Sequence, residues 1–218
     1  MIGFGAYAVY LVARAIVFRE RGRERARRNA RRIVAFEERL GIHVEPALQQ
    51  LVLPRYRRWL AVLNVLYVTV NLFLTVGWQM RMFFRRHPAF HRIRTATAIT
   101  IVAPQVIVVP FPTDAPRQLE HLVDTIDEIT GIDLDVGVAA KLYNPVAAFP
   151  SVHLAFATVT SAAILVSTEG AAARALALAY PPAVAFTVLV TANHYVVDVL
   201  AGTALGLGAL WAARALER

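Results

Sequence analysis

The chain of 218 residues contains no cysteine and a single lysine, Lys141. The absence of cysteine excludes disulfides and thiolate metal sites. Basic charge therefore comes almost entirely from arginine, and the formal net charge is +8. Charged residues are only 17% of the chain, whereas 57% of the residues are hydrophobic and the mean hydropathy is +0.51. This composition is too apolar for an ordinary soluble domain.

Several apolar runs approach the roughly 20 residues that a bilayer requires. The sequence therefore predicts an all-α polytopic membrane protein, a helical bundle of about six transmembrane helices. The predicted spans are residues 3–18, 59–84, 95–111, 150–168, 171–192 and 194–211. Three glycines in the last span, Gly202, Gly206 and Gly208, predict close helix packing. We expect residues 1–58 to form a membrane segment with a basic amphipathic region, and residues 59–218 to form the main transmembrane domain.

The segment 19–39 carries nine arginines with apolar residues between them. This pattern is typical of a basic helix that lies on a membrane surface and binds anionic lipid head groups. A solvated helix, held by Glu20, Glu24, Glu37 and Glu38, explains the pattern about as well. Nucleic acid is not an expected partner, because no aromatic stacking platform accompanies the arginines.

Two further segments are predicted outside the spans. A short helix is expected over residues 44–53, and a basic loop over residues 81–94. Residues 116–130 alternate apolar and acidic positions with a helical period, which predicts an amphipathic helix that ends at Gly131. Arg117 would lie in its first turn. The segment is too charged to cross a bilayer, so we expect it to pack at the membrane surface.

Polar residues inside the apolar spans are candidates for a site. Asn64, Tyr67 and Asn71 share one helical face, and polar groups at membrane depth usually face a bundle interior or a cavity. Tyr67 and Asn71 are possible substrate contacts, although hydrogen bonding between helices explains them equally well. Asn144 and Lys141, which precede the fourth span, are further possible substrate contacts.

The stretch NPVAAFPSVHLAFA (144–157) leads from a loop into a helix. Proline suits a first helical position, so we expect the helix to begin at Pro150 with Ser151 and His153 in its first turn. The unpaired N–H groups there form a potential anion site. His194 follows 41 residues later, with Asp198 at i+4. Two spans separate the histidines, so both should lie on one membrane side, where the third span also delivers Arg117.

The strings PSVH (150–153) and HYVVD (194–198) resemble the second and third signature motifs of the type 2 phosphatidic acid phosphatase superfamily. FPTDAPR (111–117), NPVAAFPSVHLAFA and NHYVVDVLAG (193–202) are similar to its inositolphosphotransferase branch, which includes the inositol phosphorylceramide synthases. The resemblance runs from about residue 59 to the C-terminus, so that residues 59–218 would be the catalytic domain.

This resemblance implies a two-step reaction through a phosphohistidine. His194 would be the nucleophile, Asp198 would orient its ring, and His153 would be the general acid and base. Ser151 and Arg117 would bind the phosphoryl oxygens. The sequence departs from the family pattern at two places. FPTDAPR replaces the usual first motif, and Val188 stands where an arginine is usual.

The expected activity is metal-independent transfer of a phospho-head group between lipids, with no cofactor and with phospholipid or another lipid phosphate as substrate. Simple phosphatase action on phosphatidic acid or a prenyl pyrophosphate is the first alternative. A non-catalytic lipid-binding or transport bundle, or a zinc site built from His153, His194 and Asp198, are alternatives of other classes. The distribution of arginine favours a cytoplasmic site. The resemblance favours the extracytoplasmic face, which is the orientation that we expect.

Overall fold

The computed structural model of the chain describes residues 2–17, 20–119, 122–131, 144 and 146–217. Within these residues the protein consists of ten α-helices without a β-sheet, which confirms the all-α prediction. The helices are α1 (Ile2–Val17), α2 (Glu20–Leu40), α3 (Glu45–Val52), α4 (Arg57–Val65), α5 (Asn71–Phe84), α6 (Phe90–Val108), α7 (Thr125–Thr130), α8 (Val152–Ser167), α9 (Ala171–Val190) and α10 (Val196–Ala215). A π-helical turn, Leu66–Val70, joins α4 to α5, and a 3₁₀ turn, Pro116–Gln118, lies between α6 and α7.

Helix α8 lies at the centre of the bundle and packs against α5, α6, α9 and α10. Its sequence is apolar or small on all sides, a composition typical of a buried helix. Most of its residues are accordingly buried. Hydrogen bonds also tie it to its neighbours: the Thr160 hydroxyl lies 2.8 Å from that of Thr75, and Ser161 donates to the Ala177 carbonyl at 2.7 Å. The helix that carries His153 is therefore held by packing and by hydrogen bonds to two neighbouring helices.

The contact between α8 and α10 depends on two glycines. A Cβ atom on Gly202 would lie 2.2 Å from the Ser151 carbonyl oxygen, and one on Gly206 would lie 2.8 Å from Cβ of Thr158. Both positions thus require glycine for close approach, as the sequence predicts. Gly208 is different, because a Cβ there would meet no atom within 4 Å. The prediction that Gly208 serves helix packing within the chain is wrong.

Two of the described helices, α9 and α10, are long and apolar enough to cross a membrane. Each has 20 residues, about 30 Å at 1.5 Å per residue. Ala8–Val17 and α8 are shorter apolar helices. Large apolar side chains are exposed along the outer surface, including Leu176, Leu200 and Trp211. These features agree with a membrane protein, while the number of six spans stays a prediction.

Three local predictions need correction. Pro150 precedes helix α8, which begins at Val152 with Ser151 as its N-cap, because the Ser151 hydroxyl accepts a hydrogen bond from the Leu154 amide. The single helix expected over 116–130 is instead the 3₁₀ turn and the short helix α7, whose N-cap is Asp124. The loop expected over 81–94 is confined to residues 85–89, since α5 and α6 both extend into it.

The N-terminal helices pack onto the rest of the chain. Helix α1 lies against α6, and one face of α2, formed by Ala26, Ala30, Ile33 and Glu37, is buried. Asn29 of α2 donates a hydrogen bond to the Pro112 carbonyl at 2.8 Å. Helix α2 is therefore docked on the segment that follows α6, and only its opposite face is available to lipid or solvent. A domain division at residue 58 stays a prediction.

We predict that Gly202→Ala destabilises the protein, whereas Gly208→Ala, in the same helix, does not. The alanine at 202 would collide with backbone of α8, and such overpacking costs about 1–3 kcal/mol. Thermal unfolding of the purified protein in detergent should therefore show a lower midpoint for Gly202→Ala. Equal midpoints for the two variants would contradict the observed approach of α8 to α10.

Candidate active site

His153 and His194 meet at the point where α8 and α10 begin. Nε2 of His194 lies 3.4 Å from Nδ1 of His153, although the two residues are 41 positions apart. His153 is in the first turn of α8, and His194 precedes α10 by two residues. The amide of Ser151 donates to the Asp198 carbonyl at 3.1 Å, which ties the two helix starts together. The structure thus brings both histidines into one site.

A contact with the backbone defines the tautomer of the His194 ring. Nδ1 lies 2.9 Å from the carbonyl oxygen of Ala148. Because a carbonyl oxygen only accepts hydrogen bonds, the proton of the neutral ring belongs on Nδ1. Nε2 then carries the lone pair and faces His153. The ring is therefore oriented with its unprotonated nitrogen toward the other histidine.

Asp198 lies on the same side of the ring as Ala148. Its Oδ2 is 3.3 Å from Nδ1 of His194 and accepts a 3.0 Å hydrogen bond from the Tyr195 amide. The carboxylate is fully buried. It can stabilise positive charge that develops on the His194 ring, while the Ala148 carbonyl makes the shorter contact. Asp198 and His153 face opposite nitrogens of His194, so the three side chains cannot bind a single zinc ion in this arrangement.

The second-span residues surround His153. The ring of Tyr67 stacks on the His153 ring with 4.3 Å between centroids. Asn71 donates a 3.0 Å hydrogen bond to the His153 carbonyl and accepts one of 2.8 Å from the Tyr180 hydroxyl. Asn64 lies on the same face but bonds to Thr125 of α7 instead. Tyr67 and Asn71 thus position His153, and Tyr67 lies in the π-helical turn, a feature frequent at functional sites.

Arg117 reaches the site from the 3₁₀ turn. Its amide donates a 2.7 Å hydrogen bond to the carbonyl of Ala192, two residues before His194. Ala192 has a positive φ of 52°, which is uncommon for a residue with a side chain. The Arg117 side chain is 2% exposed and pairs with Asp124. The candidate phosphate-binding cation is therefore already held by a carboxylate.

The remaining positions singled out from the sequence are Asn144, Lys141 and Val188. The Asn144 side chain is buried and accepts a 3.4 Å hydrogen bond from the Val146 amide. This hydrogen bond lies in the segment whose backbone pairs with Thr113. The same segment contains the Ala148 carbonyl that contacts His194. Lys141 lies outside the described residues. Val188, at the position of the usual arginine, is fully buried beside Tyr67 and Leu154. An apolar side chain thus occupies the place where the family pattern has a cation.

Two cavities adjoin these residues and differ in chemistry. A polar cavity of about 330 Å³ lies at Arg117. Its lining comprises Arg23, Arg27, Asp114, Arg117, Gln118, Asp124 and Val146. An apolar cavity of about 210 Å³ lies at His153. It is bordered by Tyr67, Asn71 and Tyr180 and by aliphatic residues of α9 that include Val184 and Val188. The space at Arg117 is therefore lined mostly by polar side chains, whereas the space at His153 is lined mostly by apolar ones.

A family model described as the PAP2 superfamily matches residues 31–212. The chain belongs to the PAP2 superfamily. This match confirms the superfamily resemblance carried by the two histidine motifs, and with it a membrane-bound phosphatase or phosphotransferase that acts on lipid phosphates. No curated protein and no solved structure matches the chain.

Sequence reasoning missed three parts of this PAP2 site. The Ala148 carbonyl is a backbone group, so no side-chain pattern could reveal it. Tyr180 lies 109 positions from its partner Asn71, in a span whose apolar sequence gave no reason to select it. Asp124 is one of the acidic positions in the segment 116–130, for which the sequence predicts only a helix that packs at the membrane surface. Its position as the N-cap of α7, seven residues after Arg117, could have suggested a contact with that side chain.

The His194 ring contacts predict a neutral imidazole with its proton on Nδ1. Ring ¹⁵N chemical shifts of histidine-labelled protein in lipid should show a protonated Nδ1 and an unprotonated Nε2 for this residue. The His194→Asn variant would assign the signal, since it removes only that ring. A proton found on Nε2 would place a hydrogen where the lone pair is required and would contradict the inferred orientation.

Proposed function

We propose that this PAP2 protein is an integral membrane lipid phosphotransferase that works through a phosphohistidine on His194. It would transfer a phospho-head group, such as phosphoinositol, from a donor lipid to an acceptor hydroxyl. The observation that carries the proposal is the 3.4 Å contact between His194 Nε2 and His153 Nδ1, with an apolar cavity at His153 and a polar cavity at Arg117.

In the first step, the Nε2 lone pair of His194 would attack phosphorus, and the bond between phosphorus and the lipid oxygen would break. His153 would give its proton to the departing alkoxide. Asp198 and the Ala148 carbonyl would stabilise the positive charge on the His194 ring. The apolar cavity adjoins His153, so the lipid part of the donor would leave on the side where its tails can be accommodated.

In the second step, the acceptor hydroxyl would give its proton to His153, and its oxygen would attack the phosphorus. The bond between phosphorus and Nε2 would break, which restores both histidines to their initial protonation. None of these transfers requires a metal or a cofactor. The start of α8, with the hydroxyl of Ser151, would hold the phosphoryl oxygens near the positive end of the helix.

The polar cavity supports a head group beyond the phosphate. Its volume of about 330 Å³ is several times the roughly 30 Å³ that one water occupies. Two arginines of α2 and two carboxylates line it, a combination that suits a phosphate attached to a polyol. Simple hydrolysis of a lipid phosphate is the alternative, with water in place of the acceptor. We place the site on the extracytoplasmic face, which the resemblance to the superfamily favours.

Turnover of a lipid panel tests the proposal. Purified protein should convert phosphatidylinositol to a new phosphoinositol lipid only when an acceptor such as ceramide is present. His194→Ala should lose this activity, whereas His91→Ala, an exposed histidine, should retain it. Release of inorganic phosphate from phosphatidic acid, without transfer, would instead identify a lipid phosphatase. Absence of turnover with every lipid would favour a lipid-binding bundle.

We predict that Arg117→Ala lowers kcat/KM by roughly 10²-fold or more, because a fixed cation that stabilises transition-state charge is lost. Arg27→Ala is the matched control. Arg27 lines the same cavity, but its side chain is 72% exposed, so we expect a change of only a few-fold. Initial rates on the donor lipid in mixed micelles would measure both. Equal losses would show that the phosphate is not bound by Arg117 in particular.

A further inference from the structure

Three side chains with metal-binding atoms lie close together beside the start of α10. They are Glu37 of α2, His43 in the following turn, and Glu45 at the start of α3. Nδ1 of His43 lies 3.0 Å from Oε2 of Glu45 and 3.5 Å from Oε2 of Glu37. One potential ligand atom from each residue lies within 4.8 Å of the other two. Both glutamate side chains are completely buried.

The other carboxylate oxygens are bound by the backbone of α10. Oε1 of Glu37 accepts a 2.7 Å hydrogen bond from the Val197 amide, and Oε1 of Glu45 accepts one of 3.0 Å from the Val196 amide. The two Oε2 atoms are buried and make no hydrogen bond within the part of the chain that the structure describes. Each carboxylate is thus held by one oxygen while its second oxygen points toward His43.

Two buried carboxylates this close together need positive charge. Their Oε2 atoms approach the same nitrogen, Nδ1 of His43, at 3.5 Å from Glu37 and 3.0 Å from Glu45. Buried charges are generally paired or bind metals, since an uncompensated charge is expensive to remove from water. A divalent cation at the Oε2 atoms would neutralise both glutamates.

We propose that Glu37, His43 and Glu45 bind a zinc ion through Oε2, Nδ1 and Oε2. Carboxylate and imidazole are common zinc ligands, with bonds of about 2.0–2.2 Å. Tetrahedral geometry at such bond lengths places ligand atoms roughly 3.3 Å apart, close to the separations from His43. The hydrogen bonds to the Oε1 atoms supply the outer contacts that typically orient metal-binding carboxylates.

This metal site is separate from the two histidines of the proposed reaction. Val196 and Val197, whose amides bind the two glutamates, lie between His194 and Asp198 in sequence. The zinc ion would therefore fasten α2 and α3 to the start of α10 and hold the His194 segment in place. Any effect on turnover rests on the proposed function, whereas zinc binding itself does not.

The experiment uses the full chain purified in detergent with a tag free of histidine, treated with chelator and then titrated with Zn²⁺. We expect one equivalent to bind, measured by calorimetry and by elemental analysis after gel filtration. Zinc should also raise the midpoint of thermal unfolding. Glu37→Gln and His43→Ala should weaken binding by about 10-fold or more, in the range seen when groups that support a metal site are lost. Glu38→Gln, an exposed neighbour of Glu37, should bind like the unmodified protein.

A second measurement avoids dependence on the variants, which can fail to fold. Co²⁺ added to the unmodified, chelator-treated protein should give the visible absorption bands of tetrahedral cobalt, and Zn²⁺ should remove them. Failure of the unmodified protein to retain zinc, or retention of equal zinc by Glu37→Gln and Glu38→Gln, would overturn the proposal. The glutamates would then be a carboxyl pair that shares protons. Zinc binding without lipid turnover would leave this site standing while rejecting the proposed reaction.

Discussion

The geometry of this PAP2 protein depends on the contact between the first turns of α8 and α10. The Ser151 amide bonds to the Asp198 carbonyl, and Gly202 lets the two backbones approach. His153 lies in the first turn of α8, and His194 lies just before the first turn of α10. Both helix starts meet at one point, with the positive ends of their dipoles close together. The first amides of α10 are bound by the carboxylates of Glu45 and Glu37, so buried negative charge already lies at that helix start.

Arginine side chains near this contact are paired with carboxylates. Arg117 pairs with Asp124, and Arg27 approaches Asp114 at 3.9 Å. A phosphate that binds Arg117 must therefore compete with Asp124 or join it in a shared network. Such a pair keeps the guanidinium fixed in an otherwise buried setting, where an unpaired charge would be costly. A preorganised cation is more useful for stabilising a transition state than a mobile one.

The sequence predicts the histidine pair well because its spacing reflects membrane geometry. Helices α8 and α9 lie between His153 and His194 and bring the two rings back into contact, as the spacing predicts. Hydropathy also locates α8, α9 and α10 to within a few residues. It does not predict where Pro150 falls relative to α8, because that depends on the Ser151 cap. It also does not reveal the Ala148 carbonyl or the burial of Glu37, since both follow from tertiary packing of distant segments.

These observations meet at Val188, which stands where the resemblance to the family leads us to expect an arginine. Val188 lines the apolar cavity beside His153, packed with Tyr67 and Leu154, so a cation there would be buried among aliphatic side chains. The polar cavity is instead lined by arginines of α2, an element outside the histidine motifs. Helix α2 is docked through the hydrogen bond from Asn29 to the Pro112 carbonyl. Arginine side chains therefore line the cavity at Arg117, whereas aliphatic side chains line the cavity at His153. The polar and the apolar surroundings of the histidine pair thus come from different elements of the fold.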